Sequence, residues 1–285
     1  HLYIARIDGQ PIDGGQNARP YRQLTMANYD DVYPTWAPGD PGDRIYFVSN
    51  MPSITGTDSL GTRADEYNHS RSVSQIGSVS VLGGEADREM CQENLSHSVL
   101  PFLRADGRIG YSRWEHLAGV NDTKLFVMNP DCTSMVALAG QHNKDFNSIV
   151  QVREFAGAPN VMIGVATARE RTIHAGALVT VDARGPGGTA ASIDEEAARF
   201  DILTPSVPTG RGDSADGRYR NPFPLSRGRI LTSWAPGFVS DRNEILNTAP
   251  DFGVYLFDVA TGTRTLVYND PGTWDLYAMP VGPRA

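Results

Sequence analysis

The sequence is poor in cysteine and lysine: two cysteines, Cys91 and Cys132, and two lysines, Lys124 and Lys144, among 25 basic side chains. It also lacks any apolar run near the about eighteen residues that a membrane helix requires. Two cysteines cannot build a disulfide-dense scaffold, and their spacing is not that of a zinc finger. Neither lies in a C-x-x-C-H run, so covalent haem attachment has no basis in this chain. Acidic and basic residues are scattered to a net charge of −8. Without a basic stripe, a role centred on nucleic acid is not expected. There is no G-x-S-x-G elbow for a nucleophilic serine. The glycine cluster ARGPGGTAA at 183–191 lacks the strand-to-helix context and the lysine of a phosphate cradle, and reads as a linker turn.

No initiator methionine and no signal-peptide pattern stand at the N terminus. The chain opens on HLYIARID, already strand-like, and is expected to be one domain over 1–285, a fragment or processed part of something longer. For the cysteines three readings stay open: a disulfide, two separate buried thiols, or a metal-binding or catalytic thiol. If bonded, they close a loop of about forty residues and suit an oxidising compartment.

What the sequence does have is glycine (29), proline (19) and a repeat. DDVYPTWAPGDPGDRIYFVSN (30–50), HSVLPFLRADGRIGYSRW (97–114) and RYRNPFPLSRGRILTSW (218–234) share an order: polar pair, apolar residue, proline, turn, Arg-Ile, then an aromatic alternating strand. A looser copy is FNSIVQVREFAGAPNVMIGVA (146–166), and TWDLYAMPVGPR (273–284) gives a fifth anchor around Pro280. Between anchors a second unit recurs as LYIARIDG (2–9), GSVSVLGG (77–84), KLFVMNPD (124–131), GALVTVDARG (176–185) and GVYLFDVATG (253–262). Each alternates apolar and polar residues and ends in an Asp or Gly turn, as a half-buried strand entering a hairpin does. YRQLT (21–25) and TRTLVY (263–268) read as outer strands. Four short strands per period of about 45–70 residues describe the blade of an all-β propeller. Five blades are preferred to six. The N terminus would supply a third and a fourth strand and the C terminus a first, closing the ring in one shared blade whose second strand precedes His1. Only DEEAARF (194–200) looks helical.

The segment DVYPTWAPGD (31–40) resembles the TolB-type, WD40-like propeller repeat. DGRIGYSRWEH (106–116), KLFVMNPDCT (124–133), TIHAGALVTVDARGPGG (172–188) and YNDPGTWDLYAMPVGPR (268–284) are together similar to the propeller domain of the hydrazine synthase alpha-subunit-like family. That resemblance implies a propeller in an extracytoplasmic setting. It carries over neither haem nor catalytic residue, because the attachment motif is absent.

In a propeller the first residues of each innermost strand lie at one mouth of the central channel. The anchors place Asp30, Asp31, His97, Ser98, Asn147, Ser148, Arg218, Tyr219, Trp274 and Asp275 there, a candidate polar ligand ring. His97 and His116 end the two strands of one hairpin, with Glu115 facing away, and His174 precedes another strand. These three histidines are the candidate metal ligands, set against a plain role in hydrogen bonding. His69 and His142 read as loop residues. Trp36, Trp114 and Trp234 recur at strand ends, as packing between blades or as a sugar-stacking surface. RGDSADG (211–217), with Asp213, Asp216 and Gly217, has the wrong spacing for a calcium loop and reads as a flexible loop. The expected function is a non-catalytic extracytoplasmic scaffold or protein-interaction module with protein partners and no membrane span. The competing functions are a redox or metal-dependent enzyme subunit, with a metal ion or haem contacted at the channel mouth, and a glycan-binding module.

Overall fold

The computed structural model describes residues 1–6, 8–12, 19–37, 43–51, 73–91, 96–117, 119–143, 145–185, 189–193, 196–240 and 246–281. His69, Lys144, and residues 194 and 195 of the expected helix lie outside them. Strands dominate. A hairpin of β1 (Tyr3–Ala5) and β2 (Tyr21–Gln23) comes first. Four antiparallel runs of four strands follow in chain order, the second and third joined into one eight-stranded sheet by a single parallel pairing of Ser148 with Thr123. The first holds β3 (Asp31–Ala37), β4 (Arg44–Ser49), β5 (Gln75–Ser80) and β6 (Glu89–Met90). The second holds β7 (Ser98–Leu103), β8 (Ile109–Leu117), β9 (Val120–Met128) and β10 (Val136–Ala139). The third holds β11 (Ser148–Glu154), β12 (Val161–Thr167), β13 (Ala177–Asp182) and, after the small hairpin of β14 (Arg184–Gly185) and β15 (Thr189–Ile193), β16 (Arg199–Ile202). The fourth holds β17 (Arg218–Ser226), β18 (Arg229–Ala235), β19 (Gly253–Asp258) and β20 (Thr263–Tyr268).

Each sheet is a simple up-and-down run in which a connection of two to six residues joins the first two strands. The turn at Asp106-Gly107 shows how: Asp106 Oδ1 accepts the Arg108 N–H at 3.1 Å, and Gly107 takes a φ of 81° that a side chain would disfavour. The repeat reading is visible strand by strand. Its second unit became β1 of the N-terminal hairpin and β5, β9, β13 and β19, the third strands of the four runs.

Apolar residues on the sheet faces pack one sheet against the next. Tyr46, Val48 and Ile76 of the first meet Ile109, Tyr111 and Met128 of the second. Phe102, Leu125 and Val127 meet Val152, Met162 and Val179 of the third. Ile163 and Leu178 meet Tyr219, Ile230 and Phe257 of the fourth. The N-terminal hairpin covers the free face of the first sheet through Leu2 and Leu24 on Ile45, Phe47 and Val79. The C-terminal segment lays Trp274 and Leu276 on Phe252 and Ala235 of the fourth. At the perimeter Cys91 and Cys132 are bonded, tying the end of β6 to the turn after β9.

Three expectations need correction. Residues 199–200 are strand, not helix: β16 alternates exposed Arg199 and Asp201 with half-buried Phe200 and Ile202, and pairs with β13. Period two therefore overrode the helix-forming composition of DEEAA. The glycine cluster is no plain linker, since residues on either side of it pair as β14 and β15. The fifth anchor is set by Tyr277 and Ala278 rather than Pro280, for a reason visible in the backbone.

On each inner strand one residue is left-handed: Tyr33 (φ 55°), Leu100 (56°), Gln151 (57°) and Asn221 (48°), and Tyr277 (57°) repeats it in the C-terminal segment. In β3, β7, β11 and β17 it coincides with a register shift against the next strand, between Val32 and Thr35, Val99 and Phe102, Val150 and Arg153, and Arg220 and Phe223. These are β-bulges, each of which leaves one residue unpaired and bends the strand. Pro34, Pro101 and Pro222 follow directly, where an edge strand at a bulge tolerates the missing N–H. Aligned on this feature, Ala278 occupies the proline position.

The Cys91–Cys132 bond spans 41 residues. The chain-entropy model assigns such a loop about 4 kcal/mol. Replacing both cysteines by serine should lower the unfolding free energy by about 2–4 kcal/mol in urea titration while leaving the circular dichroism spectrum unchanged.

Candidate functional site

The bulges aim five segments at one place. A cavity of about 780 Å³ is lined by residues 33–36 of β3, Leu100, Pro101 and Leu103 of β7, Gln151 and Arg153 of β11, residues 221–223 of β17, and residues 277–279 of the C-terminal segment. His1, Leu2 and Tyr3 complete the wall. Neighbouring inner strands are cross-linked around it. Thr35 Oγ1 donates to the Pro101 carbonyl at 3.0 Å, and the Asn221 N–H donates to Gln151 Oε1 at 2.8 Å. Tyr33 and Tyr277 close the remaining side, with ring centroids 6.1 Å apart.

The wall is largely apolar, with a few polar groups. Arg153 is the cation of inner strand β11. Its Nη1 donates to the Val152 carbonyl at 3.0 Å and the Pro101 carbonyl at 3.5 Å, and no described carboxylate pairs with it. Burial lowers its pKa, with Tyr277 opposing, but arginine keeps its proton at any working pH. Asn221 is 6% exposed, and its carboxamide nears the Tyr277 hydroxyl without closing a hydrogen bond of good geometry. Burial, reinforced by Tyr33 and opposed by Arg220, Asn221 and Arg153, pushes the Tyr277 phenol up to about 12, so it is a neutral donor at pH 7.

Of the residues expected at the channel mouth, Asp31 borders this cavity, and its carboxylate is already engaged. Arg88 grips it in a fork, with Nη1 on Oδ1 at 2.9 Å and Nη2 on Oδ2 at 2.8 Å. Burial alone would raise the Asp31 carboxyl, but hydrogen bonds from Arg88, Ser49 and Thr25 hold it below the usual range. Arg218 is fully buried and donates to the carbonyls of Ala175, Pro208, Gly210 and Gly212, which fastens the 208–217 loop. The segment read as a flexible loop is thus held from inside by a residue expected to bind ligand. Tyr219 lies in the core, its hydroxyl accepting from Arg264 Nη1 at 3.0 Å. Asn147 donates to Asn121 O and Asp122 Oδ1 and accepts from the Arg169 N–H. Ser148 is buried and donates to Asn147, and Ser98 is buried. Asp30 pairs with Asn50 at the surface. Asp275 accepts the Asp270 N–H, and Trp274 packs on Phe252.

The three histidines are not gathered. His97 and His116 each place their ring 5.5 Å from that of Trp114, and His97 Nδ1 accepts the Ser74 N–H. His174 sits instead before β13, where Gln151 Nε2 reaches its carbonyl at 3.2 Å. Among the described residues no three His, Cys, Asp or Glu side chains are grouped to hold a metal ion. Glu115, paired with Asp122 across β8 and β9, joins no such group, and His142 lies on an exposed turn. Trp234 packs between Tyr219 and Tyr255 under the Arg264 guanidinium, the packing role expected for it.

Sequence reasoning looked to strand starts and so missed Gln151, Arg153, Asn221 and Tyr277, which stand a few residues further along the same strands. The pattern held a direct signal for Asn221 alone, since Pro222 marks its bulge; β11 and the C-terminal segment have Val152 and Ala278 at that place and are reached only by alignment with the other anchors.

Two outcomes follow from the charges. Asp31→Asn should cost about 1–3 kcal/mol of stability by urea unfolding, because the buried Arg88 would lose its fork partner and keep Glu85 as its one described carboxylate. His174 keeps part of its side chain exposed, and desolvation by the protein around the rest, then Arg220, lowers its pKa. The unfolded chain takes up that proton near pH about 6.5, so stability is full above this pH and falls as pH drops below it. His174→Asn, which tolerates the left-handed backbone here (φ 52°), should flatten the fall in melting temperature between about pH 7 and 5.5.

No protein-family model matches the sequence, and no curated protein matches it. Solved structures share its fold. Hydrazine synthase from Kuenenia stuttgartiensis superposes with a TM-score of 0.55 at 19% identity, over 80% of this chain and 28% of that chain. Oligogalacturonate lyase from Vibrio parahaemolyticus gives 0.48 at 11% identity over 90% and 59%, and TolB from Acinetobacter baumannii 0.47 at 12% over 89% and 47%. This chain therefore spans much less than the full length of each. All three are β-propeller-type folds. The likeness is one of fold: four-stranded antiparallel sheets arranged in propeller fashion.

Proposed function

We propose that the chain is a non-catalytic, extracytoplasmic five-bladed propeller that serves as a protein-interaction module within a larger assembly. The observation that carries this reading is the outer edge of the fourth sheet. All six residues of β20 are exposed, among them Leu266 (54%), Val267 (58%) and Tyr268 (58%). The other outer strands are guarded: the disulfide adjoins β6, half of β10 is buried, and β16 exposes only Arg199 and Asp201. An apolar edge with unpaired backbone groups is a template for a partner strand, and soluble proteins usually blunt such edges with charge. The Cys91–Cys132 bond supports an oxidising compartment.

The ring of five is inferred from the segments that share the cavity. Four are the inner strands of complete sheets. The fifth blade is assigned to the β1–β2 hairpin and the 273–281 segment, which flank the cavity on its remaining side. The hydrazine synthase likeness, which covers 28% of that chain, suits a propeller working inside a larger protein.

Light scattering on the natively isolated protein tests the reading. A mass well above that of one chain is expected, and Leu266→Lys with Val267→Lys should release the single chain without changing the melting temperature. An unaltered mass in that variant counts against the edge. A stoichiometric transition metal lost on His97→Ala would overturn the non-catalytic reading.

A further inference from the structure

We propose that the central cavity is a binding site for a small organic carboxylate with a planar, apolar body, its charge held by the Arg153 guanidinium and its orientation by the Asn221 carboxamide. This goes beyond the docking edge, which lies at the opposite end of the fourth sheet.

Hydrogen bonding on the cavity wall is unfinished. A guanidinium offers five N–H donors, and the described protein acceptors of Arg153, the Val152 and Pro101 carbonyls, both engage Nη1. Arg153 lines the cavity, and no described protein acceptor takes its remaining donors. Its neighbour Glu154 is turned away, accepting the Asn160 N–H at 2.6 Å and the Ala105 N–H at 2.5 Å. Asp31, on the same wall, is neutralised by Arg88. The cavity thus has a positive centre without an internal counter-ion among the described residues. Asn221 adds a buried carboxamide whose oxygen and nitrogen both lack a hydrogen bond of good geometry. Groups left so are costly unless something completes them. Tyr277 offers a neutral hydroxyl on the same wall.

The rest of the lining sets the remainder of the ligand. Pro34, Leu100, Pro101, Leu103, Pro222 and Phe223 present carbon, so most of the bound molecule should be apolar and flat enough to lie between them. The planar fork of arginine matches a carboxylate, and a dianion such as phosphate would leave one charge unanswered. The volume of about 780 Å³ falls within the range of small-molecule sites. Left-handed non-glycine residues form the same wall, and strained backbone tends to be retained where a ligand is clamped.

Isothermal titration of the intact protein with 2-naphthoate, 2-naphthamide and inorganic phosphate tests the site. Naphthoate should bind, with the isosteric amide at least about tenfold weaker and phosphate giving no heat. Arg153→Gln should lose about tenfold or more in affinity for the acid, and Arg153→Lys should recover part of it. Asn221→Gly keeps the left-handed backbone and should weaken naphthoate while leaving the melting temperature unchanged. Equal affinity for acid and amide overturns the proposal, as does an unchanged affinity in folded Arg153→Gln or no heat from naphthoate at millimolar concentration. If Arg153→Gln fails to fold, the amide comparison and Asn221→Gly decide.

Discussion

A left-handed residue in the middle of an inner strand is a small defect, but here it recurs in five segments that share one wall. Tyr33, Leu100, Gln151, Asn221 and Tyr277 take φ values of 48–57°. For residues with a side chain this conformation costs about 1–3 kcal/mol each. The surroundings over-determine it. The next strand's register accommodates the extra residue, a proline removes the N–H that would lack a partner at three of the bulges, and neighbouring inner strands supply side-chain acceptors such as Gln151 Oε1 for Asn221. Without the bulge, strict alternation would carry the neighbouring side chains to other faces, and the segments would not converge in the same way.

The bulges also divide labour along each inner strand. Before the bulge, polar residues are consumed by architecture: Asp31 by Arg88, Arg218 by four carbonyls, Ser148 and Asn147 by each other and by neighbouring loops. These groups are engaged within the fold, apart from Arg218 Nε, which suits holding sheets in place. At the bulge Asn221, and past it Arg153, line the cavity, the Asn221 carboxamide without a hydrogen bond of good geometry. Residue type alone does not separate the two roles, since arginine and asparagine serve in both.

This division explains what could be read in advance. Alternation and turn residues made the third strands plain, and TRTLVY coincides with β20. The anchor proline located the inner strands but not the direction in which their side chains point, because a bulge flips that direction and its left-handed residue has no fixed identity: tyrosine, leucine, glutamine and asparagine all occupy it. The fifth copy lacks the proline at that place, so Pro280 drew the alignment two residues too far. In 194–200 a run of helix-forming residues masked the alternation of Arg199–Ile202, which depends on β13 being alongside. For the histidines, hairpin pairing sets His97 opposite Trp114, and the rings of His97 and His116 each pack on that tryptophan.

The fourth sheet carries both proposed surfaces, Asn221 at its inner strand and Leu266 to Tyr268 at its edge. The side-chain connection between them is Arg264, which stacks 3.8 Å over Trp234 and donates to the Tyr219 hydroxyl two residues before Asn221. That contact is made inside a packed aromatic group with Phe257 and Tyr255. Close-packed interiors resist continuous deformation, and a ligand can shift only an equilibrium between states that it binds differently. The β17–β20 ladders, bulged between Arg220 and Phe223 and between Val254 and Tyr255, carry that aromatic group as one sheet. Occupancy of the cavity should then leave pairing at the edge unchanged, because a ligand shifts an edge it does not touch only through an element with two arrangements.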